Sequence, residues 1–588
     1  MEIPLAILIF LVALIPRFLA ALRVDMTWDE GLYALSGITS VKNVATRNFT
    51  SDAWSSEFHP PIIMYVYGTV YAAYVFIKTL YKHGFSLSLN LLYQEGYSLF
   101  KGRRTLLVLR LPSIILGALS CVLTYLISLD LFKSDIVAIA AALFLALTPI
   151  FIAWSSLAML ESGVTFFYLL TIWTLLRAIE FQSLVYMVFS GIALGLAFGS
   201  KETGFGVPLV VLPWATFLLV KTYAAEGLVA LIGRSELLLL WFLLGLIVFY
   251  VTWPWLWKNP IKQFTRNLRA TSKMTSRPSA GIGFYSINFL TATPVFLAFL
   301  YGVGTMVSLS LAATQINIII LLSWAFLPLI LMSMPFVPKR GGTYEITFII
   351  PPLSIFAGLA TLELSKVLAD TLQRFFGLTT ILGSISYELM AIWLLGSAFM
   401  CLMALSCLRI HPYYIDYYNF LATSMSSFRK NLLVGWWGEG MGNAMNYIDQ
   451  YAPSDSTIWI YGPKTTALYH SSRVDLGKSF QNEPLFYERS KAGFGVPSDS
   501  AFNEWRKGDL KFYFPYYYPE KHKDYDLSRL KAEKVSYVVI YKWATYSPLI
   551  TAMDQGNYKM VSAIRNKWTP VFTVKMKNKE VCWVYRVD

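Results

Sequence analysis

The stretch Trp28-Asp29-Glu30, which closely follows the first apolar run Ile3 to Leu22, decides how the rest of the chain is interpreted. Two adjacent acids at this position lie near a bilayer, where an ionised carboxylate that faces lipid costs several kcal/mol. We therefore expect the pair to face water, a partner or a substrate, which makes it a candidate functional site. The simpler alternative is that both acids only solvate a loop, and the other charged residues of the chain argue against it.

The composition indicates a membrane protein with several spanning helices. Of the 588 residues, 56% are hydrophobic and 14% are charged, which differs from ordinary soluble domains. The net charge of +14 is spread over loops between apolar segments, so anionic lipid headgroups are the expected partner and nucleic acid is disfavoured. The four cysteines have no metal-ligand spacing, so neither a disulfide framework nor a zinc site is predicted.

Apolar runs of spanning length recur along the first two thirds of the chain. A membrane-spanning helix needs about 17 to 25 residues. A run at Ile62 to Leu80 is long enough to span but rich in tyrosine, as helices at a membrane surface often are. The other eleven runs predict spanning helices: Ile3 to Leu22, Leu106 to Leu131, Ile136 to Trp154, Val164 to Leu176, Leu184 to Gly199, Phe205 to Val220, Leu237 to Trp257, Phe289 to Leu309, Ile316 to Met332, Ile346 to Leu359 and Leu389 to Leu408.

The charged residues favour a flat, interfacial placement of Ile62 to Leu80 within a first outer loop of about residues 23–105. If that helix lies flat and the N-terminus is inside, the unusual charges share the outer face. The basic outer loop Lys258 to Arg277 runs against the usual preference of Lys and Arg for cytoplasmic loops, but it suits a surface that handles anionic lipid. The residues brought to one face are Asp29, Glu30, His59, Glu161, Lys201, Lys339 and Arg340.

A change in composition after Leu408 predicts a second domain. Residues 409–588 contain no run of spanning length, and they include strand-like stretches such as Thr457 to Tyr461 and Ser536 to Tyr541. Two further stretches, Val571 to Val574 and Val581 to Tyr585, flank a polar segment and predict a closing hairpin. The sequence thus predicts a transmembrane catalytic domain over residues 1–408 and an extracytoplasmic soluble α/β domain over residues 409–588.

A carboxylate beside basic residues at a membrane face suits the transfer of a group from a lipid phosphate to a hydroxyl. The acid takes the proton of the acceptor, and Lys and Arg side chains neutralise the departing phosphate. Because phosphate is already a good leaving group, no general acid is required, whereas a glycoside hydrolase uses two carboxylic groups.

Six segments carry a resemblance to a known family: Trp28-Asp29-Glu30, Glu57-Phe58-His59-Pro60-Pro61, Met159-Leu160-Glu161, Ser200-Lys201-Glu202-Thr203-Gly204, Lys339-Arg340, and the tail with His411-Pro412-Tyr413-Tyr414 and Gly435-Trp436-Trp437-Gly438-Glu439-Gly440. Together they resemble the C-type (GT-C) glycosyltransferases. The nearest resemblance is to the dolichyl-phosphate-mannose-protein mannosyltransferases and the related lipid A aminoarabinose transferases, in a prokaryotic or archaeal form. The resemblance implies a GT-C fold with about eleven transmembrane helices.

The resemblance also implies roles for the acidic residues. Asp29 would be the general base, and Glu30 would orient Asp29 or the acceptor. Glu161 would help to position an acceptor or a metal. No cofactor is required by the sequence, and a divalent cation stays open, with Asp29 and Glu161 as its ligands if there is one.

The basic residues would hold the donor. Lys201, Lys339 and Arg340 are the expected phosphate ligands, although Lys and Arg at the ends of spans also commonly reach out to lipid headgroups. His59 stands where some relatives have Lys beside the double proline, and its partial protonation at neutral pH weakens a phosphate role.

The predicted function is transfer of a mannose-like monosaccharide from a polyprenyl-phosphate or dolichyl-phosphate donor to a hydroxyl on the outer face of the cell membrane. The acceptor is open between a protein, a lipid and a glycan. Two other functions stay open: glycan transfer as in the oligosaccharyltransferases, which the Trp436-Trp437 pair suggests although Gly438 follows it, and transport of polyprenyl lipids. Against a transporter, the two halves of the chain lack paired short segments interrupted by Gly and Pro.

Overall fold

The structure is a computed structural model. It describes residues 2–49, 59–275, 283–335, 337, 342–376, 380–381, 385–424, 435–473, 511–513, 527–545, 555–576 and 579–587.

The chain divides into two compact units that do not follow the sequence order. The first unit comprises Met1–Ala21, Phe58–Ile63 and Pro112–Asn431. The second unit comprises Leu22–Glu57, Met64–Leu111 and Leu432–Asp588. The second unit thus combines most of the first predicted outer loop with the C-terminal segment. The predicted division into residues 1–408 and 409–588 stays a prediction.

The described residues are mostly helical, and the predicted polytopic helical fold is confirmed. Among them, eight helices are long and apolar enough to cross a membrane, or nine if one bent pair counts as a single span. Before the last span there is a two-residue antiparallel pair, β1 Thr380–Ile381 and β2 Ile385–Ser386. The helices of this part of the chain are Glu2–Ala21, Trp28–Ala45, Ile62–His83, Leu89–Leu99, Arg103–Phe132, Asp135–Leu147, Pro149–Ser155, Glu161–Glu180, Leu184–Phe198, Gly206–Thr252, Pro260–Thr275, Phe284–Thr291, Val295–Ala312, Ile318–Ser333, Ile350–Phe376, Tyr387–Ile410 and Phe420–Ser424.

The described residues contain fewer helices of spanning length than the eleven predicted, because some helices end early and others are broken. Leu184–Phe198 and Ile318–Ser333 are apolar but shorter than a full span. Two predicted runs, Phe205 to Val220 and Leu237 to Trp257, belong to one long helix, Gly206–Thr252, which is broken at Gly227 with φ 83°. A left-handed backbone of this kind is tolerated by glycine, so the break stands where the sequence allows it.

A second break, in the first unit, separates Asp135–Leu147 from Pro149–Ser155 by a bend of 63°. Proline has no N–H and interrupts the hydrogen bonding of the preceding turn. The buried Arg17 guanidinium compensates by donating to the Ala146 carbonyl at 3.0 Å and to Ser155 Oγ at 2.8 Å. The Cys407 thiol donates to the Leu147 carbonyl at 3.0 Å. This arrangement fixes the chain just before the segment that leads to Glu161.

The second unit contains a five-stranded sheet whose order is β4-β3-β5-β7-β6. Strands β3, β4 and β5 are parallel, whereas β7 pairs antiparallel with β5 and with β6. The β6–β7 pair confirms the predicted closing hairpin. The strands are β3 Thr457–Tyr461, β4 Lys511–Tyr513, β5 Val535–Tyr541, β6 Phe572–Met576 and β7 Lys579–Arg586, and the accompanying helices are Met441–Tyr451, Lys464–His470, Leu527–Ala532 and Gln555–Lys567.

Within the second unit, the helices Trp28–Ala45 and Ile62–His83 cross with their backbones in contact. A Cβ atom added at Gly37 would lie 2.0 Å from the Met64 carbonyl oxygen, and one added at Gly68 would lie 2.1 Å from the Gly37 oxygen. Small residues allow helices to approach this closely. By length and composition Ile62–His83 is among the helices able to span a membrane, so its flat orientation stays a prediction.

Candidate active-site residues

Asp29 and Glu30 lie in the first turn of the helix Trp28–Ala45. The Thr27 N–H donates to Glu30 Oε2 at 2.8 Å, a capping contact that ties the start of the helix to its own side chain. The positive end of the helix dipole stabilises negative charge in this turn. Asp29 is partly exposed, whereas Glu30 is buried. The two adjacent acids therefore have different environments, and Asp29 is the one that solvent reaches.

Glu30 is held in a completely buried ion pair with Arg110. Arg110 Nε lies 2.7 Å from Glu30 Oε1, and Nη2 lies 2.7 Å from Oε2. The same guanidinium donates to the backbone carbonyls of Val24 and Asp25, each at 2.8 Å. Arg110 therefore joins the helix start to the segment that precedes it. This geometry suits a positioning role for Glu30 better than contact with a substrate.

Arg110 was not predicted as a site residue, although its position gives a signal. It lies inside the apolar run Leu106 to Leu131, and an arginine within a spanning segment is costly unless it has a partner. The partner, Glu30, lies 80 residues away along the chain.

The C-terminal segment of the second unit binds Asp25 through backbone groups. The N–H groups of Gly440 and Gly442 donate to Asp25 Oδ2 at 3.0 and 3.2 Å. Gly440 has φ 81°, a conformation that glycine adopts readily. The neighbouring Glu439 accepts hydrogen bonds from the Trp437 N–H at 3.0 Å and the Tyr541 hydroxyl at 2.9 Å. The glycine-rich stretch after the tryptophan pair thus anchors the segment that leads to Asp29.

His470 makes a second attachment to that segment. The Met26 N–H donates to His470 Nε2 at 3.1 Å, which requires the unprotonated nitrogen. Burial lowers the pKa of His470 and outweighs the opposing effect of Asp25, and the positive charges of Arg110 and Arg103 act in the same direction as burial. Glu30 opposes the shift more weakly. The neutral ring is therefore the form that the folded state holds.

Acidification is expected to weaken this attachment. Because the folded pKa of His470 lies below its ordinary value of 6.5, the unfolded chain binds the proton more readily. Its stabilising contribution is present above about pH 6.5 and is lost as the pH falls through the lower, folded pKa. His470→Gln keeps an acceptor for Met26 without titrating. Its thermal midpoint should therefore fall less than that of the wild type when both are measured at about pH 7.5 and about pH 5.5, on either side of the ordinary histidine pKa.

The matched control is His83→Gln, which removes a histidine paired with Glu95 at the surface of the same unit. It controls for the general effect of a histidine-to-glutamine change in this unit. Equal slopes for His470→Gln and the wild type would contradict the assignment.

In the first unit, Lys201 lies between two carboxylates. Lys201 Nζ is 2.9 Å from Glu161 Oε1 and 3.2 Å from Glu345 Oε2, and all three side chains are 3% exposed. The ring centroid of Tyr344 lies 4.8 Å from the ammonium. Burial alone would lower the pKa of Lys201, but the attraction of Glu161, Glu345 and Glu202 together outweighs it and raises the pKa. The lysine is therefore charged at every physiological pH.

Counted over the described residues, this cluster has more negative than positive charge. One ammonium faces two carboxylates, and Glu161 Oε2 is buried without a hydrogen-bond partner among the described residues. A phosphate placed against Lys201 would also meet both carboxylates. The arrangement therefore suits Lys201 as the link between Glu161 and the short helix Thr343–Ile349 that carries Glu345. Glu345 was not predicted, because a single acid after a glycine pair gives no distinct signal.

His59 is paired with an acid as well. His59 Nδ1 lies 2.8 Å from Glu202 Oε2, and both side chains are partly buried. The Ile62 N–H donates to the Gly199 carbonyl at 2.8 Å, which holds the segment after the double proline beside the loop that contains Lys201.

The structure brings some of the predicted site residues together. Glu161 and Lys201 are in direct contact, and His59 contacts the residue that follows Lys201. Asp29 and Glu30 belong to the other compact unit. Lys339, Arg340 and Glu57 lie outside the described residues. The union of all these residues in one site stays a prediction.

Over the described ranges, no cluster of three or more His, Cys, Asp or Glu side chains is arranged to hold a metal ion. Asp29 and Glu161 as ligands of a divalent cation stay a prediction.

Residues 86–255 match the family model described as dolichyl-phosphate-mannose-protein mannosyltransferase. The matched segment contains Arg110, Glu161 and Lys201. No curated protein matches the chain.

Solved structures similar to the chain include ArnT from Cupriavidus metallidurans in the apo state, at 15% identity and a TM-score of 0.49, with 98% of this chain and 97% of that chain covered. ArnT bound to undecaprenyl phosphate matches at 16% identity and the same TM-score and coverage. The oligosaccharyltransferase of Archaeoglobus fulgidus is similar at 14% identity and a TM-score of 0.42, with 98% and 73% covered. The family model, which matches residues 86–255, confirms the predicted resemblance: over this segment the chain is similar to the dolichyl-phosphate-mannose-protein mannosyltransferases, which indicates a glycosyltransferase.

Proposed function

We propose that the protein transfers a monosaccharide from a polyprenyl-phosphate donor to a hydroxyl acceptor, with Asp29 as the general base. The observation that carries this proposal is the buried Glu30–Arg110 pair, which fixes the start of the helix bearing Asp29. Catalytic groups need a position held within a fraction of an ångström, and buried, fully hydrogen-bonded supports provide it.

The exposure of the two acids supports the division of roles. Asp29 is partly exposed and so can meet a substrate, whereas Glu30 is enclosed by Arg110 and the Thr27 N–H. We propose Glu30 as a positioning residue. Asp25, held by the backbone of Gly440 and Gly442, supports the same segment from its other end.

The reaction requires one proton acceptor from the protein. The acceptor oxygen attacks the anomeric carbon and forms the new glycosidic bond, while its proton passes to the Asp29 carboxylate. The bond between the anomeric carbon and the phosphate oxygen breaks, and its electron pair leaves with the polyprenyl phosphate. The product phosphate is stable as an anion, so no acid has to protonate it.

Lys339 and Arg340 are the proposed ligands of the donor phosphate. Arginine binds phosphate through two parallel hydrogen bonds, and lysine adds a point charge. Lys201 is engaged by Glu161 and Glu345, so we assign it to the support of Glu161 and not to the phosphate. We further propose that the reaction takes place on the outer face of the membrane, because a donor carried on a lipid phosphate can act there without a soluble nucleotide sugar. We also propose that the transferred sugar is mannose-like, as the description of the matching family model indicates.

The donor class can be tested with purified protein in lipid nanodiscs. Radiolabelled polyprenyl-phosphate mannose, the glucose analogue and a nucleotide-linked mannose are supplied separately with a pooled acceptor fraction, and release of free polyprenyl phosphate is followed. We expect turnover with a polyprenyl-phosphate sugar and none with the nucleotide sugar. Transfer from the nucleotide sugar in a preparation free of lipid donor would refute the donor class.

A further inference from the structure

The second unit carries a groove in its C-terminal sheet domain, lined by residues other than those that hold Asp25 and Glu30. It lies between the helix Met441–Tyr451 and the strand β6, and its volume is about 450 Å³, within the range of small-molecule sites. The helix buries its apolar side, which includes Met445 and Ile448, and turns a different set of residues outward.

The outward side of the helix is built from amides and aromatic rings. Asn443, Asn446 and Gln450 are exposed and line the groove, together with Tyr447 and Tyr451. The spacing of three and four residues places them on one helical face. An amide side chain both donates and accepts hydrogen bonds, so the three amides form an uncharged surface that offers donors as well as acceptors.

Three rings form a continuous aromatic strip beside these amides. The Tyr447 ring stacks on Phe572 with the centroids 4.6 Å apart and the planes 6° apart, and it also lies 4.6 Å from the ring of Tyr451. Tyr451 is 56% exposed. An aromatic face exposed to solvent attracts weakly positive C–H groups, such as those on one side of a pyranose ring.

The charges around the groove favour an uncharged ligand. Asp449, the acid on the same helix, does not line the groove. It accepts a hydrogen bond from the Ser471 hydroxyl at 2.7 Å. Lys575 is the charged member of the described lining residues, and Glu580 lies 3.8 Å from its ammonium. No acidic side chain is among the described residues that line it.

We propose that this groove binds an uncharged carbohydrate chain, with the amides hydrogen-bonded to hydroxyls and the aromatic strip packed against a sugar ring. The inference rests on the proposed function in one respect: a glycosyltransferase has carbohydrate as its donor, acceptor or product. It assigns the groove to recognition of a glycan acceptor or of the glycan product.

The test measures binding without turnover. The full chain is placed in lipid nanodiscs, because the headgroup of maltoside detergents is itself a disaccharide, and neutral mannobiose is titrated and followed by saturation-transfer NMR. We expect saturable binding by the wild type. Because two amide hydrogen bonds are lost, Asn446→Ala with Gln450→Ala should weaken binding about tenfold. Tyr451→Ala should weaken it to a similar extent.

The matched control is Asn566→Ala, which removes an exposed amide from the helix Gln555–Lys567 in the same unit. It should bind mannobiose as the wild type does. In the transfer assay, the Asn446→Ala, Gln450→Ala variant should raise the acceptor KM and leave kcat unchanged.

Absence of saturable binding by the wild type, equal binding by all variants, or preferential binding of a proline-rich peptide to the same residues would overturn the inference. These outcomes are separable from failure of the proposed function, since sugar binding is measured without donor. Lack of transfer from a polyprenyl-phosphate sugar would refute the donor assignment and leave the binding result standing.

Discussion

Replacing Asp29 with Asn is expected to lower turnover by roughly 10² to 10⁴, because the substitution keeps the shape of the side chain and removes the proton acceptor. Donor binding should change little, since the carboxylate acts on the proton of the acceptor. The measurement is kcat and donor KM with a polyprenyl-phosphate sugar. The loss should appear in kcat.

A suitable control is Asp135→Asn, which alters an exposed acid in the first turn of a different helix. It should retain the turnover of the wild type. Near-normal turnover in Asp29→Asn would remove Asp29 from the role of general base, and an equal loss in both variants would indicate a general effect on the protein.

The second large effect is expected from Arg110→Met. Both members of the Arg110–Glu30 pair are fully enclosed, so removal of the guanidinium leaves a buried carboxylate without its counter-charge. Breaking a buried pair in this way typically costs about 3 to 5 kcal/mol. The variant should therefore show a markedly lower thermal midpoint, measured by intrinsic fluorescence in nanodiscs, and reduced kcat.

Adding Glu30→Gln to Arg110→Met should recover part of the lost stability, because the uncompensated charge is then gone. Activity should not recover with it, since the bidentate support of the helix start is still absent. Arg177→Met is the comparison, because the Arg177–Asp130 pair is partly exposed and should cost less. A double variant no more stable than Arg110→Met alone would show that the pair does not act as described.

The elements that depend on one short stretch of sequence could be predicted from that stretch. The apolar runs became helices because length and composition alone decide whether a segment can be buried in a bilayer. The hairpin formed by β6 and β7 was predictable because its two strands are neighbours in the sequence. The helices Trp28–Ala45 and Leu89–Leu99 fall within the predicted first outer loop, because their mixed polar and apolar residues form no apolar run of spanning length.

The pairings of the charged residues could not be predicted in the same way. Glu30 and Arg110 are joined across 80 residues, and Asp25 is bound by backbone groups more than 400 residues later. The pattern of apolar and polar residues in each segment gives no indication of a partner so far away in the sequence. Lys201 was expected to meet a phosphate because its sequence context resembles that of a ligand. Its two carboxylate partners come from separate segments, and one of them, Glu345, has no distinctive neighbours.

The contact between Gly37 and Gly68 restricts how this protein can change during evolution. Each glycine faces the backbone of the other helix, so even alanine at either position would force the helices apart. Asp29 lies on the first of these two helices, two turns before the contact, and a shift there would move the carboxylate proposed to take the proton. Neither glycine touches a substrate in the proposed mechanism, yet both should be as invariant in descendants that keep this activity as the acid itself, while exposed positions on the same helices drift.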